Sequence, residues 1–382
     1  MKGVLKGDKI IWVIIFILFI FSVLAVFSST GSLAYMKEAQ GNTSSYIIKH
    51  IIFLLVGIGI IFFVHRVPYI VFSKISQHLL YVSAALLIIT LIFGVTLNSA
   101  SRWLEVPGLG IQFQTSDLAK IALIMYIARL LSKNQENLQQ RSDVFKPLIF
   151  AIGGICGLIL PANFSTAALL FGTSLILMYI GRVNIQYLYR TVGILVGIVI
   201  ILLLLGAVAP NIGRLSTWTN RVENFIKGEG GDNYQAEQSK IAIATGGFFG
   251  KGPGNSTQRN FLPHPYSDFI FAIIIEEYGA IGAIIVMALY MWLLYRSGVI
   301  VQKSTGTFAA FLAVGLTLLL VFQALINMMV AVNLIPVTGQ TLPFLSMGGT
   351  SIMFSSLALG IILSVSANAQ AEIKNNTANV TV

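Results

Sequence analysis

"PHPYSDFIFAIIIEEYGAIGAII" (Pro263 to Ile285) decides the fold. From Asp268 onward the chain is almost wholly apolar over a length that crosses a bilayer, yet it carries Asp268, Glu276 and Glu277. A carboxylate in hydrocarbon is costly, so such residues mark a water-filled cavity, a partner or a reaction site. On an ideal helix Glu276 lies about 12 Å deeper than Asp268 and about 80° round from it, so the two can border one cavity without sharing a proton. Asp268, with Ser267, is also placed to cap the helix. Of the three acids, Asp268 stands at the surface where chemistry is available, and the glutamates are expected to be architecture.

The rest of the chain agrees with a membrane setting. Of 382 residues, 56% are hydrophobic and 10% charged, and the mean hydropathy is +0.85. A soluble protein of this length needs far more charged surface, so the chain is expected to be an all-α polytopic membrane protein. The net charge of +10 does not point to nucleic acid, because the basic residues sit between apolar runs where they set membrane orientation. Cys156 is the single cysteine and cannot form an internal disulfide. The first apolar run follows Lys2, Lys6 and Lys9 and is read as an uncleaved first helix, being long for a signal peptide and without a clear cleavage site.

Apolar runs centre near residues 19, 55, 88, 124, 152, 173, 199, 281, 319 and 355, which predicts about ten transmembrane helices in one domain over residues 1–382. Lys and Arg concentrate in alternate loops, while Lys37, Lys49 and Arg102 are the few in the intervening short ones. The positive-inside tendency then puts both termini in the cytoplasm. One large outer loop, residues 209–268 between helices 7 and 8, carries charges of both signs, among them Arg214, Arg221, Glu229, Lys251 and Arg259. Long loops are more often functional than ornamental. Within it "NYQAEQSKIAIATGG" reads as a short amphipathic helix along the membrane surface.

Several constellations have competing explanations. "ATGGFFGKGPGN" (Ala244 to Asn255) resembles a phosphate loop but fails the GxxxxGK[ST] spacing, and its glycines are better suited to tight turns. "QTSDLAK" (Gln114 to Lys120) offers Thr115 or Ser116 as a cap and an Asp117–Lys120 pair three residues apart. Lys120 lies about a turn inside the membrane, where a cation needs a purpose. Asn163 in "PANFST" suits a turn. "NLIPVTGQTLPFLSMGGTSIMF" (Asn333 to Phe354) is irregular, polar backbone that is tolerated at membrane depth only beside protein or water; it lines a cavity or is a plain kink.

Four ordered segments resemble the SEDS family (shape, elongation, division and sporulation) across nearly the whole chain. They are "RWLEVPGLGIQFQTSDLAKIALIMYIARLL", "QSKIAIATGGFFGKGPGNS", "LPHPYSDFIFAIIIEEYGAIGA" and "LIPVTGQTLPFLSMGGTS". The resemblance implies a ten-helix bundle in the bacterial cytoplasmic membrane that polymerises glycan strands from lipid II, a disaccharide-peptide on undecaprenyl pyrophosphate. The family's essential aspartate matches Asp268. Its P-S-E-x-x-K matches Thr115, Ser116, Asp117 and Lys120, with a shorter acid. Its P-D-x-G-T becomes "PANFST", so Asn163 replaces an acid, and its P-E-x-H-T-D becomes "PHPYSD", with His264 and Tyr266 where Glu and His stand. The "PHPYSDFI" variant resembles the division branch more than the elongation branch.

As the resemblance implies, an acceptor hydroxyl attacks the donor anomeric carbon and the lipid pyrophosphate leaves. A single inverting displacement needs one carboxylate base, Asp268. The departing pyrophosphate wants cations, and Lys120, Arg102, Lys251 and Arg259 are candidates, with Asp117 and Asn163 as further substrate contacts. No dense cluster of metal-binding side chains is visible, so no tightly bound cofactor is expected; a loosely held Mg or Mn bridging Asp268 and phosphate oxygens stays open. The implied partners are a class B penicillin-binding protein transpeptidase and other membrane proteins of the division machinery. The competing functions are a lipid II flippase, an elongation-type polymerase and a scaffold.

Overall fold

The computed structural model describes residues 5–31, 43–97, 100–106, 111–135, 142–208, 215–227 and 231–380. Lys2, Lys37, Arg214 and Glu229 lie outside these. The described residues are dominated by helix, as the composition requires. Among the described residues six helices are long and apolar enough to cross a membrane. They are α1 (Lys9–Ser29), α2 (Thr43–Val64), α3 (Tyr69–Phe93), α10 (Ile270–Lys303), α11 (Thr307–Ala331) and α12 (Gly349–Val380). Two more, α5 (Ser142–Ile159) and α6 (Phe164–Ile180), hold shorter apolar stretches. Helices α4 (Thr115–Lys133) and α7 (Ile185–Val208) would have to cross as well to make ten.

Contacts between helix termini define two ends of the bundle. At one end Asp8 caps α1 by accepting from the Ile10 amide at 2.8 Å and pairs with Arg296 of α10. Ser132 meets Thr307 there at 2.6 Å. At the other end Thr90 of α3 donates to Thr115 of α4 at 3.0 Å. Here the chain forms a small antiparallel sheet that the sequence did not announce: β1 (Val95–Leu97), β2 (Ala100–Val106) and β3 (Ile111–Gln114), in order β1-β2-β3. Trp103 faces Gln114 and Leu104 faces Phe113. The β-branched and aromatic residues of this stretch favour such a ribbon.

The centre of the bundle is α4 against α11. Ala119, Ala122, Leu123, Ile124 and Ala128 of α4 and Leu312, Leu316 and Val321 of α11 are fully buried. Lipid tails are as apolar as leucine, so close backbone approach rather than hydrophobicity holds such helices together. Gly315 of α11 shows this: a Cβ there would meet Ile124 and Leu177 at 2.7 and 2.8 Å.

The helix opened by the Asp268 stretch is broken. Gly279 has φ +68° and ψ −165°, a conformation reserved for glycine. Residues 270–278 form a half-helix and residues 280–303 the long run. Over the length of α1, α10 passes from Arg296 beside Asp8, in its long run, to Glu277 beside Ser28 in the last turn of α1, at the end of its half-helix. Both glutamates therefore lie at the ribbon end. Glu276 is not left in an apolar surround, because the loop residues Lys251, Ser256 and Thr257 meet it at this end of the bundle.

The large loop contributes α8 (Leu215–Lys227), α9 (Gly231–Gly246) and a 3-10 turn at Gln258–Asn260. Helix α9 does not simply lie along a surface. It packs on α10 with its small residues Ala236, Ser239 and Ala242 inward and leaves Tyr234 and Ile241 exposed. Ser239 donates to the Ala331 carbonyl at 2.5 Å, and a Cβ on Gly246 would collide with the Ile275 carbonyl. Closeness, not amphipathicity, selects that face.

Candidate active site

Asp268 does not cap α10. The cap position is Phe269, and it makes no side-chain capping bond. Residues 266–268 are instead stitched to α11 and to the irregular segment between α11 and α12. The Met347 amide donates to the Tyr266 carbonyl at 2.8 Å, Ser346 Oγ to the Ser267 carbonyl at 2.6 Å and Asn327 Nδ2 to the Asp268 carbonyl at 2.7 Å. The carboxyl is half-buried and faces Gly339 (φ +65°), where an added Cβ would stand 3.9 Å from Oδ2. Burial raises the Asp268 pKa above the ordinary aspartate range. Its own backbone amide and the charges of His264, Arg221 and Arg102 oppose that rise.

One face of α11 supplies polar support. Asn327 Nδ2 also donates to the Gln340 carbonyl at 2.7 Å, and Gln340 Nε2 reaches Thr166 at 2.7 Å. One turn away, Gln323 Nε2 donates to the Thr341 carbonyl at 3.0 Å and Gln323 Oε1 accepts from Lys120 Nζ at 2.9 Å. Lys120 pairs with Asp117 at 2.8 Å. Both are buried, at 5% exposure each. The predicted i,i+3 pair therefore exists, and it faces Gln323. The α4 cap is Gln114 without a side-chain bond, so neither Thr115 nor Ser116 caps it.

Arg102 on β2 donates through Nε to the Ala162 carbonyl at 2.9 Å. With Gln114, Ser116 and Asn163 it lines a cavity at the ribbon end. Asn163 caps α6, accepting from the Thr166 amide at 3.2 Å, as its turn context predicts. Between α6 and α11 runs an open groove with about 1040 Å³ of free space, lined by Ala168, Gly172, Ile176, Phe322, Ile326 and Thr338 among others. Its walls are chiefly apolar. Thr338, which lines this groove, precedes in the chain Gly339, the residue that the Asp268 carboxyl faces.

Lys251 and Arg259 are not brought to Asp268. Lys251 Nζ pairs with Glu276 at 2.6 Å; Arg259 Nη1 donates to the Ser28 carbonyl at 3.1 Å. Glu276 also accepts from Ser256 Oγ at 2.5 Å and from Thr257 Oγ1 and N at 2.8 and 3.0 Å. Glu277 accepts from Ser28 Oγ and from the Ser256 amide, the latter at 3.2 Å. The loop amides of Lys251 and Gly252 bond the Glu276 and Glu277 carbonyls, both at 2.9 Å, while the Ala280 amide donates to the Gly247 carbonyl at 3.0 Å. The glycine-rich loop thus satisfies the backbone groups freed by the break, as membrane proteins require. Both glutamates are held by donors of this loop, and Glu277 by Ser28 of α1 as well.

Gln323, Asn327 and Gln340 were not singled out from sequence, and Arg221 and His264 were named there only as a loop charge and a departure from the family motif. Arg221 donates to the Val337 carbonyl at 3.1 Å from α8. The only linear signal was the cluster of carboxamides in and after α11. Among the described residues no three His, Cys, Asp or Glu side chains come together as a metal cage.

The FtsW/RodA/SpoVE family, described as "Cell cycle protein", matches residues 8–371. The "Probable peptidoglycan glycosyltransferase FtsW" of Coxiella burnetii is 32% identical over 372 residues, spanning 95% of this chain and 98% of that protein. "Stage V sporulation protein E" of Bacillus subtilis is 34% identical over 322 residues, spanning 82% and 85%. Two solved structures share the fold. One, from "Structural coordination of polymerization and crosslinking by a peptidoglycan synthase complex", has TM-score 0.72 at 23% identity and covers 95% of this chain and 98% of its own. The other, the rod shape determining protein RodA of Thermus thermophilus, has TM-score 0.65 at 23% identity and covers 94% and 96%.

Proposed function

Because this chain belongs to the FtsW/RodA/SpoVE family of cell cycle proteins, we propose that it is a peptidoglycan glycosyltransferase that polymerises lipid II during septal wall synthesis. The observation that carries this reading is the half-buried Asp268 carboxyl facing Gly339, one residue along the chain from a wall of an apolar groove. Such a groove suits a carrier lipid, while the ribbon end offers water and polar side chains to sugars.

In this reaction Asp268 takes the proton from the acceptor hydroxyl as its oxygen bonds the donor anomeric carbon. The bond from that carbon to the pyrophosphate oxygen breaks on the opposite face, and the undecaprenyl pyrophosphate leaves with the electron pair. A pyrophosphate is already a good leaving group, so no second carboxyl acid is needed. Arg102 and Arg221, whose charges act on Asp268, are the cations best placed to draw the phosphates, with Asn163 beside Arg102. Lys120 and Asp117 act on this site through Gln323. A Mg or Mn ion, were one bound, would be held by Asp268 and would supply positive charge to the departing pyrophosphate.

Ten crossings, with α4 and α7 among them, both termini in the cytoplasm and the ribbon end outside, are part of the same proposal, as is a class B penicillin-binding protein as transpeptidase partner. The similar solved complex that coordinates polymerisation and crosslinking supports such a pairing. The test is purified protein in detergent with lipid II, alone and with that transpeptidase. Long glycan strands are expected. A flippase makes none, and their absence with the partner present would reject the polymerase.

A further inference from the structure

We infer that Asn327 is the positioning residue of the active site, holding Asp268 at a fixed separation from the wall it faces. This rests on Asp268 being the base. The Asn327 amide nitrogen has two hydrogens, and both are used: one bond goes to the Asp268 carbonyl and the other to the Gln340 carbonyl, each at 2.7 Å. Those carbonyls belong to two segments without regular structure, each of which lacks a helical or sheet ladder to fix it. Gln340 follows Gly339, the residue opposite the Asp268 carboxyl. A single side-chain amide thus spans catalytic segment and facing wall. Asn327 is 1% exposed, so both bonds are shielded from solvent.

The bracket is held from below. Gln323 lies four residues earlier on α11, hence on the same face. It grips the Thr341 carbonyl with its nitrogen and is itself oriented by Lys120 through its oxygen. Because a carboxamide carries a donor and an acceptor at opposite tips, Lys120 dictates which tip of Gln323 faces Thr341. The buried cation therefore has a purpose without touching substrate: Asp117 fixes Lys120, Lys120 fixes Gln323, and Gln323 with Asn327 fixes the wall. Displacing a reacting group by about 1 Å costs ~10²-fold in rate.

The experiment uses the full chain with its transpeptidase. Asn327→Leu keeps the branching and the number of heavy atoms, removes both donors and introduces no buried charge. The expected result is a fall in kcat of ~10²-fold with KM for lipid II within about twofold, the pattern of an interaction realised in the transition state. Deuterium exchange should rise together in residues 262–269 and 335–347 and stay unchanged in α1 and α12. Wild-type kcat would overturn the inference, as would a loss of protection spread over the whole bundle. Should Asn327→Leu fail to fold, Gln323→Glu decides the matter. It keeps the acceptor for Lys120 and lacks the donor to Thr341, so kcat should fall with KM retained, and unchanged kcat overturns the inference. If Asp268→Asn polymerises normally while exchange still rises in both segments of Asn327→Leu, the choice of base has failed and the bracket stands.

Discussion

At the scale of single residues, the environment of Asp268 makes two measurable demands. As a base it must be ionised, and burial raises its pKa. The acidic limb of the pH–rate profile should therefore lie above the range of an ordinary aspartate, with activity falling as pH drops through it. Asp268→Asn should lower polymerisation by ~10²-fold or more while the protein still folds. The same shift has a stability consequence of definite sign. The folded pKa exceeds the unfolded one, so the cost of keeping the group ionised is absent below the unfolded pKa and complete above the folded pKa. Asp268→Asn should melt higher than wild type at neutral pH, with the difference vanishing in acid. Equal melting temperatures across that window would remove the desolvation argument.

Among the elements, the broken α10 and its glycine-rich loop form one unit. Gly279→Ala must place a Cβ at positive φ and against the Phe248 carbonyl. Denaturation should show a loss of about 3 kcal/mol or more, and a neutral outcome would mean that the break is not required. Lys251→Ala removes one of several donors to a fully buried Glu276 carboxylate, so a loss of about 1–3 kcal/mol is expected with KM for lipid II unchanged. A raised KM with wild-type stability would return Lys251 to the pyrophosphate. The loop reads in sequence as a set of turns. Its packing into a helix break cannot be read there, since the partner carbonyls lie some 25 residues away.

For the whole molecule, the charge distribution and the two ends of the bundle make one prediction about the membrane. Single cysteines in a Cys156→Ala background should react with an impermeant maleimide on intact spheroplasts at Glu105, on β2, and not at Lys303, at the end of α10. The reverse pattern would invert the proposed topology and put Asp268 on the side away from the assembled wall.

The membrane class and the helical architecture were legible in the sequence, because span length and hydropathy are local properties of the chain. The Asp117–Lys120 pair was legible too, since helical spacing sets it. Four things were not: the break at Gly279, the lifting of the glutamates to the ribbon end, the ribbon itself, and the carboxamide bracket around Asp268. Each depends on which distant backbone carbonyls come within hydrogen-bond reach, and inside a bilayer that satisfaction is compulsory but its partner is unspecified by any local pattern. Only the tertiary structure could decide that Lys251 answers Glu276 and that Asn327 answers Asp268.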